Sequence, residues 1–120
     1  MLDEPDVLAF LDIHPVFKGH VLVVPKPHVV TLPELAVESL TPVFGAVQRI
    51  GAAIQDALTA EGHWIAINNI VSQAVPHLHV HVVPRRRKDG LRGFFWPRER
   101  YVDDAEMAAV AAAISRALTG

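Results

Sequence analysis

Short apolar runs of strand character alternate along this chain with two stretches of helical period. Val7–Leu11 is apolar, residues 20–24 are rich in β-branched side chains, and Lys18-Gly19 marks a turn between them, so they read as two strands. Pro25 and Pro27 end the second strand, because proline has no N–H for a central ladder. Between Pro33-Glu34 and Leu58, the apolar positions Leu40, Val43, Phe44, Val47, Ile50, Ile54 and Leu58 recur every three or four residues. That spacing predicts an amphipathic helix with one buried face and a break near Thr41-Pro42. Gly62 reads as its C-cap. Residues 64–68 and 75–83 form a third and a fourth strand. The link between them, residues 69–75, is short enough for an antiparallel hairpin, and Pro84 closes the last strand. Asp103 and Glu106 have capping-box spacing, and Met107, Val110, Ile114 and Leu118 make the buried stripe of a helix running to about Leu118. The order β-β-α-β-β-α predicts an α+β domain with an antiparallel sheet.

The fourth strand carries the chemistry. Residues 77–83 read His77-Leu78-His79-Val80-His81-Val82-Val83. Successive side chains on a strand point to opposite faces, so the three imidazoles share one face while Leu78, Val80 and Val82 enter the core. Three readings are open on spacing alone. The histidines are satisfied structural residues; or they hold a metal with an open coordination position; or one of them is a nucleophile that forms a covalent intermediate.

Composition narrows the classes. The chain has 120 residues, 51% apolar and 20% charged, which describes one globular domain. A net charge of −2 argues against a nucleic-acid partner. There is no cysteine, which excludes a disulfide framework and a cysteine-ligated zinc within these residues and fits a reducing, cytoplasmic location. No apolar run approaches the ~18 residues of a membrane span, and no signal peptide is visible, so no membrane partner is expected. The apolar run starting at Val7 lies almost at the beginning, which raises the expectation of an upstream segment beyond this chain.

The neighbours of the histidines bear on the choice. Asn68, Asn69, Ser72, Gln73 and Ala74 are amide or small residues that offer donors to an anion such as a phosphate. Arg85, Arg86, Arg87 and Lys88 are consecutive cations, read either as a solvated loop or as attraction for a polyanionic substrate. No carboxylate lies close in sequence to act as a metal's counter-charge, which disfavours a metal.

With these residues in view, the chain resembles the histidine triad (HIT) family of nucleotide hydrolases and transferases. Its signature, His-φ-His-φ-His-φ-φ with φ apolar, matches His77 to Val83, with Gln73-x-Val75 leading in and Pro84-Arg85 following. Phe10-Leu11-Asp12-Ile13-His14-Pro15 and Gly19-His20-Val21-Leu22-Val23-Val24-Pro25-Lys26-Pro27-His28 look like the family's first block. The resemblance spans about residues 7–87 and implies a single HIT domain over 1–120. It implies an antiparallel sheet of about four to five strands with two helices, paired as a homodimer with a continuous sheet. The implied reaction is attack on the α-phosphate of adenosine phosphoramidates or dinucleoside polyphosphates, through a nucleotidyl-histidine intermediate that releases a nucleoside monophosphate. By this likeness His79 is the nucleophile, His81 donates a hydrogen bond to the phosphate or leaving group, and His77 orients its neighbours. Phe10, Ile13 and Leu22 would form the base pocket, Asp12 would accept from the ribose hydroxyls, and Asn68, Ser72, Gln73 and Ala74 would lie on the phosphate side. No cofactor is implied, and magnesium only as a counter-ion of the substrate. Two other readings stay beside this one: a nucleotide-binding module with little turnover, and a three-histidine metal site.

The chain departs from the family pattern in two places. The loop between Asn68 and Gln73 is about two residues shorter than usual and lacks glycines, and Ala74 stands where a serine or threonine is usual. Relatives with a longer N-terminal segment include some with a Cys-x-x-Cys pair. In those, the cysteines join the histidines at the positions of His28 and His77 around zinc. Here the cysteines are missing, so no structural metal is expected. Residues 94–98, Phe-Phe-Trp-Pro-Arg, are expected to fold over the sheet or dimer interface, the alternative being a lining of the substrate cleft.

Overall fold

The computed structural model describes residues 1–91 and 98–120. The strands are β1 (Leu2–Asp3), β2 (Val7–Leu11), β3 (Val21–Pro25), β4 (Gly62–Ala66) and β5 (Val80–Arg85), and the helices are α1 (Val37–Leu58) and α2 (Asp104–Thr119). A 3-10 turn, Leu32–Glu34, precedes α1. The strands form one sheet in the order β1-β2-β3-β5-β4, and each neighbouring pair is antiparallel. The chain divides into two compact units, Met1–Asp89 and Gly90–Gly120.

In the first unit, α1 covers one face of the sheet. Its buried stripe, Val43, Ala46, Val47, Ile50, Gly51 and Ile54, keeps the predicted three-and-four spacing. It packs in one core with Val7 and Ala9 of β2, Val21 and Val23 of β3, and Val80 and Val82 of β5. These strand residues are two apart, so the residues between them stand on the other face. Strand register aligns four of those in a row, Phe10 opposite Leu22, Leu22 opposite His81 and His81 opposite Ala66.

In this unit the structure corrects four expectations about elements. The helix does not break at Pro42; the irregularity comes earlier, at Leu35 and Ala36, and α1 then runs unbroken past the proline. Proline near a helix start removes few internal bonds, and the buried stripe that follows holds the rest. The C-cap is Thr59 in the left-handed region (φ 54°), whose N–H bonds Gln55 O, while Gly62 opens β4 instead. Pro84 lies inside β5, opposite His63. Pairing with β3 ends at Val82, so at Pro84 the strand is an edge on that side and tolerates a residue without an N–H. Finally, β5 begins at Val80. His77, Leu78 and His79 precede the ladder instead of lying within it.

In the second unit, Asp103 caps α2 by accepting from Glu106 N at 2.8 Å, and Glu106 Oε1 accepts from Val102 N at 2.9 Å. The capping pair is as predicted, but the stripe of Met107, Val110, Ile114 and Leu118 is exposed, not buried. A helix stripe marks the face able to be buried, and burial needs a partner surface that spacing does not supply. Residues 94–97 lie outside the described residues. No helix among those described is long and apolar enough to cross a membrane.

Candidate active site

The histidines sit where the ladder gives way to irregular chain. Pairing of β3 with β5 stops at Val23 and Val80. Pro25, further along β3, still has a carbonyl to satisfy, and the ring of His77 takes it: Nε2 donates to Pro25 O at 2.9 Å. Leu78 is fully buried, and its N–H donates to Val29 O at 2.7 Å. The segment is therefore held to β3 and the chain after it by one apolar plug, one main-chain bond and one imidazole, while the His77 N–H turns back on Val75 O at 2.8 Å.

These contacts fix which nitrogen of each ring carries a proton. A carbonyl only accepts, so a ring nitrogen bonded to one must be N–H. His79 Nδ1 lies 2.7 Å from His77 O and is protonated. In the neutral ring, Nε2 then offers a lone pair. His81 is set the opposite way. The main-chain N–H of Val16 donates to His20 Nδ1 at 3.1 Å, so His20 carries its proton on Nε2. That proton points at His81 Nδ1, 2.9 Å away. His81 Nδ1 accepts, and its proton sits on Nε2, a buried atom with no partner among the described residues. Adjacent rings, 4.9 Å apart and near edge-on at 70°, thus present a nucleophilic lone pair and an orphan N–H donor.

Burial favours the neutral form of both supporting rings. His20 is pushed below the ordinary histidine value chiefly by desolvation, with the Asp12 carboxylate opposing. His81 is lowered first by desolvation, then by His79 and His20. The nearby carboxylate is restrained as well. Asp12 Oδ1 accepts from His14 N at 2.8 Å, and Oδ2 lies 3.8 Å from His20 Nε2.

A cleft of about 380 Å³ opens beside the histidines, lined by Phe10, Leu22, Val24, Val75, His77 and His79. Phe10 and Leu22 thus lie with the triad, and Val24 and Val75 join them unforeseen. Ile13 sits on the turn after β2, largely exposed and outside that lining. Asn68, Ser72 and Ala74 are exposed, and no residue of 68–74 lines the cleft. Gln73 bridges its own loop: Nε2 donates to Val30 O at 2.6 Å, and Oε1 accepts from Ile70 N at 3.0 Å. The N–H groups of Val71 and Gln73 bond Asn69 O and Ile70 O. Three of the loop's donors are therefore engaged within it. His20 is the residue that sequence reasoning passed over. Its signal was a polar residue opening an otherwise apolar strand run after Gly19.

A metal at the triad finds no common focus. The ring of His77 faces Pro25 O and His28, that of His79 faces His77 O, and that of His81 faces His20. Among the described residues, the one cluster of suitable ligand atoms is Asp12, His20 and His81. A cation there would need lone pairs on both His20 Nε2 and His81 Nδ1. With the Val16 N–H on His20 Nδ1, that would require an imidazolate.

The basic run is also accounted for. Arg85 pairs with Asp89 (Nε to Oδ2, 2.6 Å), Arg86 donates to Leu58 O, and Arg87 pairs with Glu61 at 2.7 Å. They lie toward the C-terminal end of β5 and beyond, away from His81, and fasten the following turn to the end of α1 and the start of β4.

Fold and site together define a small α+β domain that presents a tautomer-fixed imidazole pair beside an apolar cleft. Comparison with known proteins is consistent with this. The HIT domain family model matches residues 1–88. A bis(5'-nucleosyl)-tetraphosphatase (asymmetrical) of Schizosaccharomyces pombe is 37% identical over 83 residues, covering 68% of this chain and 46% of its own length. An adenosine 5'-monophosphoramidase of the same yeast is 38% identical over 92 residues, covering 75% and 66%. A crystal structure of a HIT family member from Bacillus subtilis superposes with a TM-score of 0.86 at 35% identity, covering 97% of this chain and 84% of that one. The chain belongs to the HIT family. It spans about half the length of the first of these relatives and two thirds of the second.

Proposed function

We propose that the chain is a nucleotide hydrolase or nucleotidyl transferase that attacks the α-phosphate of adenosine phosphoramidates or dinucleoside polyphosphates. The observation that carries this reading is the opposite protonation of two adjacent rings. His79 Nε2 offers its lone pair to phosphorus, and the P–N or P–O bond to the leaving group breaks as the new N–P bond forms. The proton stays on Nδ1 and donates to the His77 carbonyl, a hydrogen bond that stabilises the imidazolium that results. His81 Nε2–H donates a hydrogen bond to the phosphoryl oxygen or the departing atom, where charge builds up. Water, or another acceptor, then displaces His79 and releases the nucleoside monophosphate. The apolar cleft suits a base, and Asp12 suits the ribose. No step in this scheme calls on a metal, and magnesium enters only with a polyphosphate substrate. The relatives named as a tetraphosphatase and a phosphoramidase support both substrate classes. The partner copy is proposed to pair along β4, whose outer edge has no neighbouring strand among the described residues.

The test is turnover of adenosine phosphoramidate and diadenosine tetraphosphate by the wild type, His79→Ala and His79→Asn. Phosphoramidate turnover that resists chelator and vanishes in both variants is expected. Full activity in either variant would sink the proposal. A second reading, a nucleotide-binding module, draws on the engaged donors of the 69–74 loop. AMP binding without turnover of any substrate would favour it.

A further inference from the structure

We infer that His28 is a positioning residue for the reaction, acting through His77 on the nucleophile; this rests on the reading of His79 given above. The segment 77–79 lies outside the ladder, so the sheet does not hold the one carbonyl that sets the His79 tautomer. That carbonyl belongs to His77, whose ring is the clamp. Its Nε2–H is committed to Pro25 O. The neutral ring therefore accepts at Nδ1, and it faces His28 Nδ1 at 2.9 Å. His28 must supply the proton of this contact. The rings lie 4.9 Å apart, tilted at 53°. A continuous line of donors results: His28 to the His77 ring, the His77 ring to Pro25 O, and the His79 ring to the His77 carbonyl.

His28 holds the far side of the clamp, and its protonation is dictated by what it must donate to. Without that donor, His77 Nδ1 faces solvent, and the ring is free to turn or to exchange its proton between nitrogens. Either change releases Pro25 O and lets the 77–79 segment shift. His79 would then sample the form with its proton on Nε2, which has no lone pair for phosphorus. The role belongs to a donor, not to imidazole as such. Asparagine at position 28 keeps an N–H near the place of Nδ1, whereas aspartate offers only an acceptor.

The experiment compares wild type with His28→Ala, His28→Asn and His28→Asp in two assays. One is turnover of adenosine phosphoramidate; the other is ring-nitrogen NMR of His77 and His79 in the substrate-free protein. A neutral hydrogen bond predicts a loss of about threefold to tenfold in kcat for His28→Ala, with KM within about twofold. His79 is expected to show a mixture of tautomers in His28→Ala and His28→Asp, and the single Nδ1–H form in wild type and His28→Asn, with kcat restored in the latter. An unchanged His79 tautomer in His28→Ala would overturn the inference, whatever the rate. So would a rate loss that asparagine fails to restore. So would zinc ion that raises wild-type activity but not that of His28→Ala, since that would make His28 a ligand. Because the NMR arm needs no substrate, it stands even if His79→Ala proves active and the proposed chemistry falls.

Discussion

His20 shows how one buried ring sets the chemistry of another. It is 3% exposed, and its proton is placed by a main-chain amide, not by a charge. Replacing it with phenylalanine keeps the volume roughly and removes the donor to His81 Nδ1. His81 would then be free to carry its proton on either nitrogen, and the orphan N–H at Nε2 would be present part of the time. The expected result for His20→Phe is a kcat loss of about tenfold or more with the fold retained, read from phosphoramidate turnover beside circular dichroism. Wild-type kcat would argue against the tautomer chain. Of all this, the sequence made the residue types and their alternation legible, and the likeness of Gly19-His20 to a family block pointed to the region. Protonation was not legible, because it depends on Val16 N–H and on the His77 carbonyl, main-chain groups whose placement follows from turns that no side-chain pattern specifies. The partners of the 69–74 loop were not legible for the same reason: Gln73 is a donor in composition, and its two ends meet Val30 O and Ile70 N.

At the scale of elements, β2, β3 and α1 followed from periodicity because burial and pattern agree along their length. The start of β5 did not. Alternation continues back through His79 and His77, but pairing needs a partner, and β3 has reached Pro25 at that level. A proline carbonyl that no strand N–H reaches becomes the anchor of a histidine ring. Contact between α1 and β4 is equally specific. Gly51 is buried in the helix, and a Cβ placed there would sit 2.5 Å from His63 Nε2. That ring has little freedom to retreat, since its Nδ1 donates to Gln55 Oε1 at 2.5 Å. Gly51→Ala is expected to destabilise the protein by about 1–3 kcal/mol despite alanine's better helix propensity, as measured by urea denaturation. A stabilised variant would mean that the ring moves away at little cost. Removing the Leu78 side chain attacks the other anchor: Leu78→Ala is expected to cost about 2–5 kcal/mol and to lower kcat as well, because the histidines flank it.

For the whole molecule, burial of His20 and His81 makes stability depend on acid. Both folded-state values lie below the ordinary histidine value, so the unfolded chain binds more protons in that window. Their contribution is present above the unfolded value, near 6.5. It falls as pH drops from there toward the lowered folded values. The denaturation midpoint is therefore expected to decrease between about pH 7 and pH 5, and the decrease should be smaller in His20→Phe. A midpoint flat across that range would contradict the burial argument. The proposed pairing along β4 is a separate matter at this scale. Ile65 is exposed on that edge strand, and Ile65→Lys should shift a dimer toward monomer in sedimentation velocity. A wild type that sediments as a monomer would remove the proposal.

The three arginines at the end of β5 and just beyond it carry one last consequence, for the way substrate arrives. Two are neutralised by Asp89 and Glu61, the third is held by a main-chain carbonyl, and the chain's net charge is −2. Arg86 keeps its charge against that carbonyl and Lys88 adds another, so the turn retains only two net positive charges in a chain of net charge −2, and its pull on a distant polyanion is weak. Capture then depends on collision and short-range fit, not on a guiding field. Raising salt from about 50 to 200 mM should change kcat/KM for a polyphosphate by less than about threefold, whereas a steered encounter would slow steeply over the same range.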